Sequence, residues 1–220
     1  MSKRTEAKPF LTYAIIVAFI VVMIIASTPQ ATGVIQDEYA LRPGYVSQGM
    51  RLISVLTYSF VHSDWLHIVL NCFALLLVGT IIEGEVGSPR FGIVFLASGV
   101  IAGLAHVILN PGSTVVIVGS SGAVFGVLAL LFLLSPFKKT TVFSVPIPAA
   151  LVGVLVAAIE LAGAAWAGGG VLASDVQIAG FVTGAALSFW IDAKKATKWL
   201  SIGVGVVVIL YLMGLFFNLI

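Results

Sequence analysis

Apolar residues in this chain come in long unbroken runs rather than in the three-to-four-residue rhythm of an amphipathic helix. The runs extend from Pro9 to Ser27, Trp65 to Ile82, Phe91 to Leu109, Ser121 to Ser135, Pro146 to Ala167, Val176 to Ile191, and Trp199 to Leu219. A helix that crosses a bilayer needs roughly 20 predominantly apolar residues, because the hydrocarbon core is about 30 Å thick and each residue rises about 1.5 Å. The pattern therefore predicts an all-α membrane protein of seven helices. The fourth run is the odd one, too short to cross alone, so its first turn must lie inside protein or face a wet cavity. Pro111-Gly112, Ser135-Pro136 and the glycines Gly168 to Gly170 punctuate the runs. No repeat or second domain is visible, and residues 1–220 read as one polytopic bundle. The first run exceeds the apolar region of a signal peptide and reads as a retained helix.

Composition agrees with the pattern: 60% of residues are hydrophobic, 9% are charged, and the mean hydropathy is +1.16. A bilayer is the expected solvent. The net charge of +2 is small and its basic residues are scattered, which argues against nucleic acid as a partner. Cys72 is the single cysteine, so no intramolecular disulfide or Cys-based metal cluster can form, and it reads as a small packing residue. Lysine and arginine set the expected orientation. With the amino terminus cytoplasmic, Lys3, Arg4, Lys8, Arg90, Lys138, Lys139, Lys194, Lys195 and Lys198 are all inside, leaving Arg42 and Arg51 outside. Residues 1–8 are then a cytoplasmic tail and residues 28–64 an external loop. The carboxyl terminus is external. The stretch from Met50 to Val61 is apolar enough for part of that loop to lie in the membrane interface.

Polar residues inside spanning helices are expensive, and each is a functional-site candidate. Under this topology most of them fall in one external layer. Ser121 opens the fourth helix, Gln177 lies in the first turn of the sixth, and His106 is near the outer end of the third. Glu160 lies about 21 Å along the fifth helix, again in the outer half. His67 and Asn71 are four residues apart and share a helix face. Gly119-Ser120-Ser121-Gly122 precedes an apolar helix, so free backbone N–H groups and the positive helix end point at whatever gathers around Ser121, a suitable setting for an oxyanion beside a nucleophile. Gly122 with Gly126, and Gly180 with Gly184, form small-residue faces that let the fourth and sixth helices approach closely. Measured from these glycines, Ser121 and Gln177 differ in depth by about 3 Å. Taken singly, each feature has a plain reading: packing for the glycines, a backbone-bonded hydroxyl for Ser121, a surface histidine for His62, and helix caps for Ser63-Asp64 and Ser174-Asp175.

The conjunction resembles a known family. The stretch from His62 through His67 to Asn71 is similar to the rhomboid HxxxxHxxxN pattern, Glu83 with Gly87-Ser88 to its ExxxGS, and Gly119-Ser120-Ser121-Gly122 to its GxSG nucleophile motif. Arg51 resembles the arginine of the family's Trp-Arg pair, with Met50 in place of tryptophan. The likeness runs from about Arg51 to Ile191. It implies a rhomboid-like six-helix core with a seventh helix added at the carboxyl terminus, and an intramembrane serine endopeptidase acting on transmembrane segments of membrane proteins. Ser121 would be the nucleophile. His67 and Asn71, with backbone near Gly119 and Ser121, would line the oxyanion site. The family's base, the histidine of HxxGxxxG, is here Gln177, ahead of Gly180 and Gly184; Phe125 stands where many members have tyrosine. No cofactor or metal is implied, and the partners are transmembrane proteins and the lipid bilayer.

An amide has no useful basicity near neutral pH, so Gln177 can hydrogen-bond Ser121 without activating it. The sequence thus predicts a protease scaffold that is inactive or strongly impaired. Four explanations stay open at this level. The chain is a natural pseudoprotease that binds transmembrane clients, or it carries an engineered replacement at position 177. Alternatively its base has moved, with His106 as the one outer-layer histidine lacking a family role. A small transporter or channel drawing on Glu160 is the fourth, against which no inverted repeat or charged pathway is visible.

Overall fold

This computed structural model describes residues 8–142, 145–166 and 174–216. The tail 1–7, the Gly168–Gly170 punctuation and the far end of the seventh run lie outside them. The elements in order are α1 (Phe10–Ala26), α2 (Thr32–Tyr39), α3 (Pro43–Val46), α4 (Ser54–Thr57), a 3-10 turn (Tyr58–Phe60), α5 (Trp65–Val86), α6 (Ser88–Leu109), α7 (Ser121–Leu134), β1 (Lys139–Val142), β2 (Val145–Pro148), α8 (Ala149–Trp166) and α9 (Ser174–Phe216). Helices α5 and α6 have 22 residues each and carry the apolarity of membrane spans, as does α9.

Helix α7 is the axis of the bundle. It has only 14 residues, and Gly122 to Val124, Gly126 to Leu131, Leu133 and Leu134 are all buried. A helix that is apolar all round is stable only when protein surrounds it; α5, α6, α8 and α9 supply that surround. The closest packing joins α7 to α9. A Cβ on Gly180 would overlap the Gly122 carbonyl oxygen, and one on Gly184 would overlap that of Gly126. Helix α6 closes the third side, with Ser98 against Gly126 and Ala102 against Gly122.

One end of the bundle carries Ser121 and the other carries most of the lysines. At the lysine end, Glu83 of α5 reaches the first turn of α1, accepting from the backbone N–H groups of Leu11 and Thr12 at 2.8 and 2.7 Å and from the Thr12 hydroxyl at 2.7 Å. The Ser88 hydroxyl donates to the same carboxylate at 2.5 Å. Helix N-termini leave N–H groups without partners, and Glu83 caps them from a distant element. Nearby, Glu85 pairs with Lys195 at 2.8 Å and Lys138 at 3.5 Å, fastening α5 to α9 and to the turn after α7.

Two boundaries differ from the sequence reading. The fifth helix starts at Ala149 rather than Pro146, because Val145–Pro148 pairs antiparallel with Lys139–Val142. Prolines at 146 and 148 hold the residues before them extended, which suits a strand and opposes a helix. The amide groups of Ala149 and Ala150 then find the carbonyls of Lys138 and Pro136 at 2.9 and 2.7 Å. The sixth and seventh runs also join into one helix, bent at Asp192 (φ −155°, ψ 86°). The charged stretch after Asp192 is helical rather than a loop, since the Asp192 carboxylate accepts from the Lys195 N–H at 3.0 Å and restarts the helix there. Beyond it Leu200, Val204, Val207 and Ile209 are exposed, as lipid-facing residues are.

The glycine seam yields a direct test. Gly180→Val must displace a backbone carbonyl and should lower stability in detergent by about 1–3 kcal/mol, the usual cost of overpacking. Gly203→Val, at a glycine with nothing within 4 Å, should leave the melting temperature unchanged. Equal effects at the two positions would contradict the seam.

Candidate functional site

Ser121 is the first residue of α7, and the chain reaches it through a turn that only glycine can make. Gly119 has φ +102°, and a Cβ there would meet Nε2 of His67 at 2.5 Å. The His67 imidazole therefore lies flush against the backbone two residues ahead of Ser121. A hydrogen bond from the Gly119 N–H to the Tyr58 carbonyl at 3.1 Å fixes the same turn, and the Tyr58 hydroxyl donates to the Gly99 carbonyl at 2.7 Å.

His67 is held from behind. Asp64 caps α5, its Oδ1 accepting from the His67 N–H at 2.9 Å. Its Oδ2 lies 2.7 Å from the Ser63 hydroxyl, and Ser63 Oγ lies 3.0 Å from His67 Nδ1. These bonds hold the Asp64 carboxyl below its usual range, with the bond from the His67 N–H the largest cause. The cap expected at Ser63-Asp64 is therefore also a brace for the imidazole. Asn71, one turn along, accepts from the Ser120 hydroxyl at 2.6 Å and donates to the His67 carbonyl at 3.1 Å. Among the described residues one amide hydrogen of Asn71 is left for another acceptor. The contact between Ser120 and Asn71 was not visible in the sequence, where Ser120 occupies the unspecified position of GxSG.

Gln177 is buried in the first turns of α9. The carbonyl of its neighbour Val176 would lie 3.3 Å from a Cβ on Gly122, so Ser121 and Gln177 begin two helices whose backbones touch one residue away. Among the described residues no hydrogen bond joins their side chains. Phe125 is partly buried against the core, one turn below Ser121.

His106 does not stand alone. Its Nδ1 lies 2.7 Å from Oδ2 of Asp175, and Asn110 donates to the same oxygen at 3.0 Å. Asp175, expected as a helix cap, thus ties α9 to the end of α6. His106 Nε2 is buried and has no hydrogen-bond partner among the described residues. Glu160 is 5% exposed on the core face of α8, and its Oε1 also has no partner there. Cys72 is partly buried against the core, as a packing residue would be. No group of three or more metal-ligating side chains is found among the described residues.

His62 corrects the sequence reading. It is 3% exposed rather than on the surface, with its ring edge-on to Phe19 and to His67 at centroid distances of 5.0 and 5.2 Å. The loop from Ala40 to Val61 folds over this end of the bundle and places it there. Arg51, at φ 51°, is paired with Glu38 at 2.9 Å and lies over the Tyr45 ring at 4.8 Å. Tyr45 supplies the aromatic partner that Met50 does not.

A family model described as Rhomboid domain matches residues 49–194. The chain is 30% identical over 157 residues to RHOMBOID-like protein 4 of Arabidopsis thaliana, covering 70% of this chain and 37% of that protein. It is 36% identical over 86 residues to Rhomboid protease GluP of Bacillus subtilis, covering 39% of this chain and 16% of that protein. It is 29% identical over 142 residues to Rhomboid protein 1, mitochondrial, of Saccharomyces cerevisiae, covering 63% and 40%. The chain therefore spans well under half the length of these relatives.

His62 generates a pH dependence. Burial pushes its pKa down to about 3, with repulsion from His67 adding to the effect. The unfolded chain takes up this proton near pH 6.5 and the folded chain does not, so the contribution of His62 is complete above pH 6.5 and declines as pH falls toward 3. Each unit removes about 1.4 kcal/mol. Between pH 7 and 5 the melting temperature should fall more steeply for the natural chain than for His62→Phe. Parallel slopes would show that this imidazole titrates freely in the folded state.

Proposed function

The chain belongs to the rhomboid family, an integral multi-pass membrane protein, and from that premise we propose that it is an intramembrane serine endopeptidase scaffold whose cleavage of transmembrane segments is strongly impaired. The observation that carries this reading is Gln177, an amide at the start of a helix in backbone contact with the one that begins at Ser121. Ser121 is the nucleophile. The free N–H groups at the start of α7, the remaining Asn71 hydrogen and the His67 imidazole are the groups available to an oxyanion beside it. Gln177 can donate to or accept from the Ser121 hydroxyl but cannot carry its proton away.

The polar layer lies at the end of α7, which at 14 residues is too short to reach across a bilayer by itself. A peptide bond brought to Ser121 is therefore attacked below the level of the longer helix ends. The clients are membrane proteins whose spanning segments unwind at that depth. The lysines gathered at the opposite end support an external Ser121 and a cytoplasmic amino terminus. Client binding without cleavage is the natural use of such a scaffold if turnover is absent altogether.

Cleavage of a model single-span substrate in proteoliposomes tests this. The natural chain should be slower than Gln177→His by roughly 10³-fold or more, the scale of loss when a catalytic set is broken. Ser121→Ala should abolish the activity that Gln177→His gains. Equal rates for the natural chain and Gln177→His, with Ser121 reactive in both, would remove position 177 from the chemistry.

A further inference from the structure

The geometry points to His106 as the proton acceptor that serves Ser121 in place of residue 177, with Asp175 as the group that positions it; this rests on Ser121 being the nucleophile. The placement follows from the packing of α6 on α7. Ser98 faces Gly126, and Ala102 lies 2.9 Å from where a Cβ on Gly122 would sit. Each four-residue step along α6 thus matches four residues back along α7, and His106 comes next on the same face, level with the turn that delivers Ser121. Side chains on a helix lean toward its N-terminus, which on α6 carries the imidazole down toward the Ser121 layer. Val176 Cγ1 lies 2.8 Å from the same Gly122 position, so Asp175 enters this neighbourhood from α9.

The shorter of two contacts at Nδ1 favours one tautomer. A carboxylate only accepts, so the 2.7 Å contact calls for a proton on His106 Nδ1, although Asn110 Nδ2 also lies 3.3 Å from that nitrogen; in the neutral ring with this tautomer Nε2 keeps a lone pair. That nitrogen is buried, on a side chain 9% exposed, and has no protein partner among the described residues. Burying such an acceptor unpaired is costly, and a nearby serine hydroxyl is a donor that would satisfy it. Of the other two imidazoles at this end, His67 has its Nδ1 engaged by Ser63 and its Nε2 against Gly119, while His62, also without hydrogen-bond partners among the described residues, packs between Phe19 and His67.

The step balances without any further reagent. Nε2 of His106 takes the Ser121 proton, directly on rotation of the serine or through one water, as Oγ bonds to the scissile carbonyl carbon. Asp175 stabilises the imidazolium. The same proton then passes to the departing amine as the C–N bond breaks, leaving an acyl ester on Ser121, which water hydrolyses with His106 accepting the water's proton. Because Nε2 is not already bonded to the hydroxyl, this route is slower than one with an imidazole at position 177.

Labelling of Ser121 by a fluorophosphonate in proteoliposomes tests the assignment. The natural chain should label slowly but measurably, and His106→Gln should lower the rate by about 10- to 100-fold, in the range of general-base assistance. Asp175→Asn should move it in the same direction. Adding Gln177→His to His106→Gln should restore fast labelling, showing that the site is still folded. His106→Gln labelling at the natural rate would overturn the assignment, whether or not His67→Ala changes that rate. Labelling absent from the natural chain but present in Gln177→His would also overturn it, while leaving the serine-peptidase reading intact. No labelling in either, or labelling that survives Ser121→Ala, would remove that reading as well.

Discussion

The contact on which the rest depends is the backbone-to-backbone seam between α7 and α9. Gly122 and Gly126 on one helix face Gly180 and Gly184 on the other with no room for a single Cβ on the α9 glycines. In a bilayer, helices gain little from hiding apolar surface from each other, since lipid is equally apolar; close van der Waals packing must hold them. Small residues permit that packing, and the seam fixes the relative depth of the two helix starts. The glycines thus bring the start of α9 at Val176 against Gly122, with no bond between the side chains of Ser121 and Gln177 among the described residues.

Around that seam the polar groups form a braced layer. Asp64 and Ser63 hold His67, Asn71 holds Ser120, and Asp175 and Asn110 hold His106. Each pair joins elements far apart in the chain or stiffens a helix start. The same end of the molecule tolerates buried groups that a purely structural bundle would avoid, among them His62 and Glu160. Burial of groups with incomplete partners costs stability and is retained where chemistry or binding needs it. At the opposite end, Glu83 and Glu85 satisfy their neighbours fully and serve as fasteners.

Much of this was legible in the sequence. The runs of apolar residues marked the main helices, the short fourth run marked the 14-residue α7, and the two glycine pairs marked the seam. What was hidden depended on contacts between distant residues. Asp175 read as a helix cap because nothing local shows that His106, on another helix, points at it. His62 read as a surface residue because the loop that covers it has no periodic signal. Pro146 fell inside an apolar run, and hydropathy alone does not show that two prolines two apart favour a hairpin strand. Asp192 interrupts a charged patch that hydropathy counts as a loop, whereas its carboxylate caps a continuing helix.

An amide at position 177 would leave the residue at position 121 without a group to ionise it. A Ser121→Cys thiol in a Cys72→Ala background reports on this directly, since its alkylation by iodoacetamide as a function of pH gives its pKa. A thiol beside an imidazole titrates well below the ordinary value of about 8.5. The pKa should fall clearly when Gln177→His is added to that background. An unchanged profile in the two backgrounds would mean that residue 177 does not act on the residue at position 121, contradicting its assignment to the site.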